Sequence, residues 1–327
     1  MAIASPVLHP PFNIVRVLYA DLGSTDLARA RSFWVDALGY AVSEDTGDAL
    51  YLRGLEEQNH HSLILRAATA PVVNAIGFRV LEDADLDRAV EFCTARGLAH
   101  RYGDRHAQGR TLEMIDPQGI RIELTASVTH VPRLLQRYAE HRGARPQRID
   151  HVNCFSPDVQ AGFDFYRELG FRVSEYTETE DTRDLWAVWM HRKGNVHDLA
   201  LTNGIGPRLH HIGVWVSSAH DIIGTCDLLA TSGWLASMER GPGRHGISNA
   251  FFLYLRDPDG HRVELFSSDY LTADPDFEPI RWDLRDPQRQ TLWGAAAPAS
   301  WFEEGSLFTG IAPHAPRISA GPLVAPR

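Results

Sequence analysis

The sequence predicts an α+β protein with two similar domains, each built around a curved mixed sheet. The chain has 327 residues, which is enough for about two domains. Its two halves repeat the same motifs in the same order, which indicates an internal duplication. Within each half, short β-rich runs surround stretches with apolar residues at helical spacing.

The first repeated element is a helix followed by a strand, in residues 26–45 and 159–178. Both segments carry apolar residues at helical spacing and then a Leu-Gly-aromatic sequence before the strand. Asp26 and Asp158 lie where a helix N-cap is expected. We therefore expect the same helix and strand in both domains.

Three further pairs of segments complete the repeat: residues 60–66 with 196–202, 74–80 with 210–216, and 111–124 with 252–265. The last pair contains an Asp-Pro-x-Gly turn between two β-rich runs. Each copy thus begins with a strand, a helix and further strands, and has another helix before its final hairpin. Such a duplicated unit predicts a curved sheet that surrounds a site.

These repeats also predict the domain boundaries. We expect an N-terminal domain at residues 1–138, a C-terminal catalytic domain at 139–290 and a tail at 291–327. The last part of the tail, residues 313–327, is expected to be mobile.

Acidic residues outnumber basic ones, which limits the possible partners of the protein. The formal net charge is −10. We expect no nucleic-acid or membrane partner, because both require a basic face. The three cysteines form no Cys-x-x-Cys pair, and no apolar run is long enough to cross a membrane. A location in the reducing cytoplasm is expected.

The two copies differ at positions that could bind a metal. Alignment of the copies pairs His151 with Tyr19, His211 with Ala75, and Glu264 with Glu123. Two histidines and a carboxylate from three strands are the donor set of a facial triad, which leaves one octahedral face open for ligands. Each residue alone is more often structural or solvated, so the prediction depends on their coincidence at matching repeat positions. The first copy keeps only the acid, and we expect its domain to be metal-free.

We expect His211, and not its neighbour His210, to be the ligand. Adjacent residues of a strand face opposite sides of a sheet. His211 shares its face with Gly213, and small residues there suit a crowded concave site.

The turn at residues 257–260 predicts a further residue at this site. Its Asp-Pro-Asp-Gly sequence fits a three-residue hairpin loop with glycine in the left-handed position. That register pairs Tyr254 with Glu264 on one face of the hairpin, so a phenol would stand beside the carboxylate. A four-residue loop would instead turn Tyr254 away.

Four other residues are candidates near the open positions: His197, Asn153, His245 and Trp189. His197 has a counterpart in the first copy, so a structural role is an equal alternative to proton transfer by a neutral imidazole. Asn153 follows the first ligand by two residues and therefore faces the same side. For His245 and Trp189, the competing interpretations are an ordinary loop histidine and a core tryptophan.

Four segments, at residues 151–159, 189–212, 240–270 and 290–294, resemble the type I extradiol ring-cleaving dioxygenases of the vicinal oxygen chelate superfamily. The resemblance extends over about residues 14–305. It implies a duplicated vicinal oxygen chelate fold with tandem βαβββ modules. It also implies a homotetramer.

The resemblance further implies a cofactor and a reaction. Fe(II), or Mn(II) as in some relatives, would be bound by His151, His211 and Glu264. A catechol and O2 would be the substrates, and the ring would open next to the diol and not between its hydroxyl groups. The expected substrate is 3,4-dihydroxyphenylacetate.

Roles of single residues follow from the same resemblance. His197 would transfer a proton to the bound oxygen, while Tyr254 and His245 would hydrogen-bond the ionised catechol oxygen. The remaining residues would form the substrate pocket: Asn153, Trp189, Arg240, Arg289 and Gln290. Relatives carry an arginine where this chain has Gln290, beside Arg289, and their tails are longer.

Three other functions remain alternatives at this point. The first is the same ring cleavage on another catechol. The second is a non-oxidative lyase or isomerase of the same superfamily, which would consume no O2. The third is a protein that binds its ligand without converting it.

Overall fold

The computed structural model describes residues 3–322 of the chain. Its N-terminal domain is formed by the following elements in order: β1 (Ile14–Ser24), α1 (Leu27–Arg31) with a π-helical continuation (Ser32–Ala37), β2 (Ala41–Asp45), β3 (Ala49–Arg53), β4 (Leu63–Ala67), β5 (Val72–Val80), α2 (Asp83–Ala95), β6 (His100–Gly103), β7 (Thr111–Ile115) and β8 (Arg121–Thr125). A short 3-10 turn (Tyr138–Glu140) lies in the segment that leads to the second domain.

The C-terminal domain repeats this order: β9 (Arg148–Ser156), α3 (Val159–Glu168), β10 (Arg172–Glu178), β11 (Leu185–His191), β12 (Leu199–Asn203), β13 (Arg208–Trp215), α4 (Ala219–Thr231), β14 (Met238–Arg244), β15 (Phe251–Arg256) and β16 (Arg262–Ser267). Two 3-10 turns, Leu235–Ser237 and Ile247–Asn249, flank β14. β17 (Ile280–Asp283) follows, and the tail adds α5 (Ala299–Glu303) and β18 (Ser306–Phe308).

Each domain contains two βαβββ modules, so the predicted fold is confirmed and a finer repeat is visible within each half. In the first domain β1 pairs in parallel with β4, β5 pairs in parallel with β8, and β1 and β5 are antiparallel. In the second domain β9, β12, β13 and β16 pair in the same way. The two first strands of the modules therefore meet at the centre of each domain, where their side chains face one concave side.

The predicted N-caps are present in both domains. The side chain of Asp26 accepts a hydrogen bond from the Arg29 backbone N–H at 3.0 Å, and Asp158 accepts one from Ala161 at 3.1 Å. These bonds satisfy backbone donors that the first helical turn leaves free.

The first helix differs from its counterpart by one residue. Leu38 follows Asp26 by twelve positions, whereas Leu169 follows Asp158 by eleven. The extra residue is accommodated in the π-helical segment Ser32–Ala37, because a single π turn widens the helix by one residue and keeps the flanking faces in register.

The tail connects the two domains. β18 pairs with β13 of the C-terminal domain and with β5 of the N-terminal domain. Residues 313–322, expected to be mobile, instead form backbone hydrogen bonds with the second domain. His314 and Gly206 exchange two such bonds, of 3.0 and 2.6 Å. The remaining tail residues, 323–327, lie outside the described part of the chain.

Among the helices of residues 3–322, none is long and apolar enough to cross a membrane.

Candidate metal centre and active site

The three predicted ligands meet at the centre of the C-terminal domain. His151 lies on β9, His211 on β13 and Glu264 on β16, and all three are buried. The two histidine Nε2 atoms are 3.3 Å apart. One carboxylate oxygen of Glu264 is 3.0 Å from Nε2 of His151 and 3.3 Å from Nε2 of His211.

Strand register explains why these residues converge. Gly213 pairs with His151 on one side and with Glu264 on the other. A Cβ atom at Gly213 would lie 2.1 Å from Cε1 of His151, so only glycine leaves room for the imidazole to cross the central strand. The sequence had indicated a small residue here, and the structure gives the reason.

Asp150 orients the first ligand. Its Oδ2 atom accepts a hydrogen bond from Nδ1 of His151 at 3.1 Å, which leaves the Nε2 lone pair directed at the site. Burial raises the pKa of Asp150, but Lys193 and the hydrogen bond to His151 outweigh burial and hold it well below its ordinary value. The acceptor is therefore an ionised carboxylate, as is common behind metal-binding histidines.

His210 orients the second ligand, a role that the sequence did not reveal. Nε2 of His210 is 2.8 Å from the backbone oxygen of Trp301 and must donate to it. Its Nδ1 atom then accepts from Nδ1 of His211 at 2.6 Å, so Nε2 of His211 is unprotonated. A β-bulge interrupts the register between Leu209 and His211, which allows adjacent imidazoles to touch. The paired histidines were the only signal for this role in the sequence.

The donor set fits a divalent metal ion. Two imidazole lone pairs and a carboxylate face one another at 3.0–3.3 Å, an arrangement that a cation between them would stabilise. The second carboxylate oxygen, Oε1 of Glu264, is buried and has no hydrogen-bond partner among the described residues. Burial raises the pKa of Glu264, but His151 and His211 hold it well below the ordinary value, so the carboxylate is ionised.

The open side of this triad faces a cavity of about 270 Å³. All the predicted catalytic and substrate-binding residues line the cavity: His197, Tyr254, His245, Asn153, Trp189, Arg240, Arg289 and Gln290. The sequence had not indicated Trp186 and Trp301, which also form its walls. Such a cavity accommodates one substituted aromatic ring.

His197 packs against the first ligand with its ring tilted by 34°. Its ring centroid is 3.8 Å from that of His151, and its buried Nδ1 atom has no hydrogen-bond partner within residues 3–322. Burial, followed by the charge of His151, holds the pKa of His197 well below 6.5. This imidazole is therefore neutral and can accept or donate a proton in the cavity.

Tyr254 and His245 form a hydrogen-bonded pair on the other side. Tyr254 pairs with Glu264 across the hairpin, and the Asp257 N–H bonds to the His261 oxygen at 2.9 Å, so the predicted three-residue loop is confirmed. Nδ1 of His245 donates to the backbone oxygen of Gln290. Its Nε2 atom is therefore the acceptor for the Tyr254 hydroxyl, 2.9 Å away.

Two arginines bring positive charge to the wall of the cavity. Arg240 donates to the Gln290 backbone oxygen and to Oγ1 of Thr291, yet its Nε and Nη1 atoms have no partner in the described chain. Arg289 lies over the ring of Trp186, with Nε and Nη2 equally unpartnered. Burial lowers the pKa of Arg289 to about 9, so the guanidinium is charged at neutral pH. Buried cations of this kind require an anionic partner.

The tail closes the outer side of the cavity. The indole N–H of Trp186 donates to the Ala320 backbone oxygen at 2.8 Å, and the Asn203 amide donates to that of Ile318 at 2.8 Å. Both tail residues line the cavity. No sequence pattern predicts these contacts, because the tail contributes backbone oxygens that every residue carries.

The equivalent place in the N-terminal domain is filled by a phenol. Tyr19 packs against Gly77, just as His151 packs against Gly213. Its hydroxyl bonds to Glu123, whose other oxygen accepts from Nε of Arg105 at 2.8 Å. This arrangement supports the proposal that the equivalent position in the first copy binds no metal.

Comparisons with known proteins agree with this geometry. Residues 16–124 and 148–265 match the glyoxalase/bleomycin resistance protein/dioxygenase superfamily. Homoprotocatechuate 2,3-dioxygenase from Brevibacterium fuscum, solved with 3,4-dihydroxyphenylacetate, is 42% identical, with a TM-score of 0.89 and coverage of 93% of this chain and 96% of that chain. The Arthrobacter globiformis enzyme of the same name is 40% identical, with a TM-score of 0.90 and coverage of 96% and 98%.

Another relative is named for manganese and for a biphenyl diol. The manganese-dependent 2,3-dihydroxybiphenyl 1,2-dioxygenase of Geobacillus genomosp. 3 is 31% identical over 297 residues, which cover 86% of this chain and 94% of the relative.

Proposed function

The chain belongs to the glyoxalase/bleomycin resistance protein/dioxygenase superfamily, and we infer that it is an extradiol ring-cleaving dioxygenase. The observation that carries this inference is a buried triad of His151, His211 and Glu264 whose open side faces a cavity. Fe(II) is the cofactor, and Mn(II) is the alternative that a manganese-dependent relative supports. When bound, the metal holds catechol and O2 side by side and lets electron density pass between them.

We propose 3,4-dihydroxyphenylacetate as the substrate. The triad residues His211 and Glu264 and the two arginines line one cavity, which suits a ring that carries both a diol and a carboxylate. The free N–H groups of Arg240 and Arg289 would bind the carboxylate. Gln290 adds no charge, but its backbone oxygen holds Arg240 in place. The product would be 5-carboxymethyl-2-hydroxymuconate semialdehyde.

The surrounding residues have distinct proposed tasks. The Tyr254 hydroxyl would turn from Nε2 of His245 and donate to the ionised catechol oxygen. A proton released by the catechol to Nε2 of His245 would let this imidazole donate to the same oxygen, and the two bonds would orient the ring. His197, on the opposite side, would pass a proton to the reacting oxygen and assist ring opening. The carbonyl of Asn153 accepts from Oγ1 of Thr202 at 3.2 Å, so its NH2 group is free to orient a ligand. Trp189 would exclude water.

The test is direct. Purified protein is supplied with Fe(II), and O2 uptake and the yellow ring-opened product are measured for 3,4-dihydroxyphenylacetate, catechol and 2,3-dihydroxybiphenyl. We expect the highest kcat/KM for 3,4-dihydroxyphenylacetate. A higher value for an uncharged catechol would assign a different substrate to the same reaction. Absence of O2 uptake with every diol would contradict ring cleavage and favour a lyase, an isomerase or a binding protein.

We also propose a homotetramer located in the cytoplasm. The three free cysteines, two of them buried, are compatible with a reducing compartment. Light scattering of the purified protein would test the number of subunits.

A further inference from the structure

A second cluster of two imidazoles and a carboxylate lies in the N-terminal domain. Glu44 is on β2, His60 is in the segment before β4, and His106 is in the segment between β6 and β7. Oε2 of Glu44 is 2.7 Å from Nε2 of His106 and 3.2 Å from Nε2 of His60. All three donor atoms lie within 4.8 Å of one another.

This cluster has a geometry close to that of the catalytic triad. The imidazole centroids of His60 and His106 are 5.8 Å apart with an interplanar angle of 74°. The corresponding values for His151 and His211 are 5.4 Å and 83°. The cluster does not occupy the equivalent position, however, because Tyr19 and Glu123 fill that place. It is therefore an independent arrangement of the same donor types.

Neighbouring side chains can hold the cluster ready for a metal. Nδ1 of His60 is 3.1 Å from Nδ1 of His61, and Nε2 of His61 is 3.0 Å from the amide of Gln108. The Gln108 amide nitrogen donates to Nε2 of His61, so His61 carries its proton on Nδ1 and donates to Nδ1 of His60. If the Gln108 amide turns its oxygen to His61, both imidazoles change tautomer, Nδ1 of His60 donates to His61, and the Nε2 lone pair of His60 is free for a cation. In that arrangement, the nitrogen of His60 that does not face the ion donates a hydrogen bond to a neighbouring side chain, as metal-binding histidines usually do. The ring of Tyr51 packs against the imidazoles on the same side, 5.0 Å from His106.

The cluster is also accessible. The side chains of Glu44 and His106 are 40% and 47% exposed, whereas that of His60 is 8% exposed. An ion can thus enter from solvent, bind one fixed imidazole and two mobile donors, and keep water at its other positions. The net charge of −10 favours cation binding.

We propose that Glu44, His60 and His106 bind a divalent transition-metal ion of the Zn(II) class. Two imidazoles and one carboxylate are donors that Zn(II) accepts readily, and such sites bind Zn(II) more tightly than Fe(II) or Mn(II). The ion would connect three segments that are distant in sequence, namely β2 and two loops. The predicted absence of metal from this domain then applies only to the position that Tyr19 fills.

Metal analysis of the iron-loaded protein tests this proposal. The protein is dialysed against micromolar Zn(II), and iron and zinc are both quantified per chain. We expect one iron and one zinc. The exposed substitutions His106→Ala and Glu44→Gln should each weaken zinc binding by at least about tenfold, with iron content and ring cleavage unchanged. His220→Ala, which removes an exposed histidine of α4, is the matched control and should retain the zinc.

Two results would overturn the proposal. One is a wild-type protein that keeps less than half an equivalent of zinc, or gains zinc only as it loses iron. The other is a zinc equivalent that survives both His106→Ala and Glu44→Gln. Either result would mean that the cluster is only a hydrogen-bonded group. Because zinc content is measured separately from turnover, the outcome does not depend on the proposed substrate.

Discussion

At the residue scale, the chemistry of the metal centre depends on two side chains that do not bind the metal. Asp150 and His210 each hold Nδ1 of one histidine ligand, which fixes the tautomer that exposes Nε2. The conformation of each ligand is therefore set before a metal arrives. Such partners typically contribute ten- to hundredfold in metal affinity.

His210→Phe tests this role. The variant fills the same space but cannot accept from Nδ1 of His211, so we expect the dissociation constant for Fe(II) to rise roughly tenfold or more. Iron titration followed by activity would measure it, and saturating Fe(II) should restore most of the turnover. An unchanged iron affinity would show that Trp301 and the strand alone orient His211.

His197→Ala separates proton transfer from metal binding. The imidazole packs against His151 but does not belong to the triad, so iron content should stay near one per chain. Loss of a positioned acid–base group is expected to lower kcat by roughly a hundredfold or more. Unchanged turnover in a steady-state assay would exclude the proposed proton transfer.

Arg289→Met tests recognition of the acidic side chain. Loss of a buried charge-assisted hydrogen bond costs about 1.5–3 kcal/mol, so kcat/KM for 3,4-dihydroxyphenylacetate should fall roughly ten- to hundredfold. Unsubstituted catechol lacks the carboxylate and serves as the control, with a change of less than about threefold. Equal losses on both substrates would assign Arg289 a structural role.

At the scale of elements, the two Asp-Pro-x-Gly turns join the domains in a symmetrical way. The Asp116 carboxylate accepts from the Tyr166 hydroxyl of α3, and the Asp257 carboxylate accepts from the indole N–H of Trp34. Each turn thus contacts the helical segment of the other domain. The repeat predicted both turns, but only the packing of the domains brings each carboxylate to its partner.

The buried turn carboxylate gives a pH prediction. Burial raises the pKa of Asp116 from 3.8 to about 6, although backbone N–H groups and Tyr166 oppose the shift. The folded protein therefore binds this proton more tightly than the unfolded chain does. The contribution of the protonated Asp116 to the free energy of unfolding is full below about pH 4 and is lost as the pH rises through about 6. The resulting decrease in the free energy of unfolding is about 3 kcal/mol.

Asp116→Asn should remove this dependence, because the amide keeps the shape of the side chain and carries no charge. Between pH 4 and 7, the melting temperature of the wild type should fall relative to that of the variant. Calorimetry across this range measures the difference, and Asp276→Asn, at an exposed aspartate, is the control. Parallel curves for the wild type and Asp116→Asn would contradict the prediction.

At the scale of the whole molecule, the tail completes both the fold and the cavity. β18 joins sheets of the two domains, and residues 318 and 320 accept hydrogen bonds from Asn203 and Trp186 at the cavity wall. The tail therefore forms part of the cavity wall, although it contains none of the three candidate metal ligands.

Removal of residues 313–327 tests this contribution. The truncated protein keeps β18 and the triad, so its iron content should be unchanged. Loss of the wall formed by Ile318 and Ala320 should raise KM for the catechol roughly three- to tenfold, because the ligand would be less well enclosed. Steady-state kinetics would measure this, and an unchanged KM would show that the tail does not shape the cavity.

Local sequence patterns were enough to locate the candidate metal triad and the phenol nearest to it. The alignment of the two copies placed His151, His211 and Glu264 at matching positions, and the turn type placed Tyr254 beside the carboxylate. These inferences succeed because repeat position and turn length can be counted along the chain. Strand alternation also favoured His211, but a bulge before it lets His210 contact it and line the same cavity.

The other features of the site arise from the packing of distant segments. The bonds from Asp150 and His210 that fix the tautomers, the unpartnered guanidinium of Arg289, the tail against the cavity and the cluster around His60 all join groups from different elements. Their contacts depend on how strands, turns and tail pack, and a local pattern carries no information about which distant group will satisfy a given donor or acceptor.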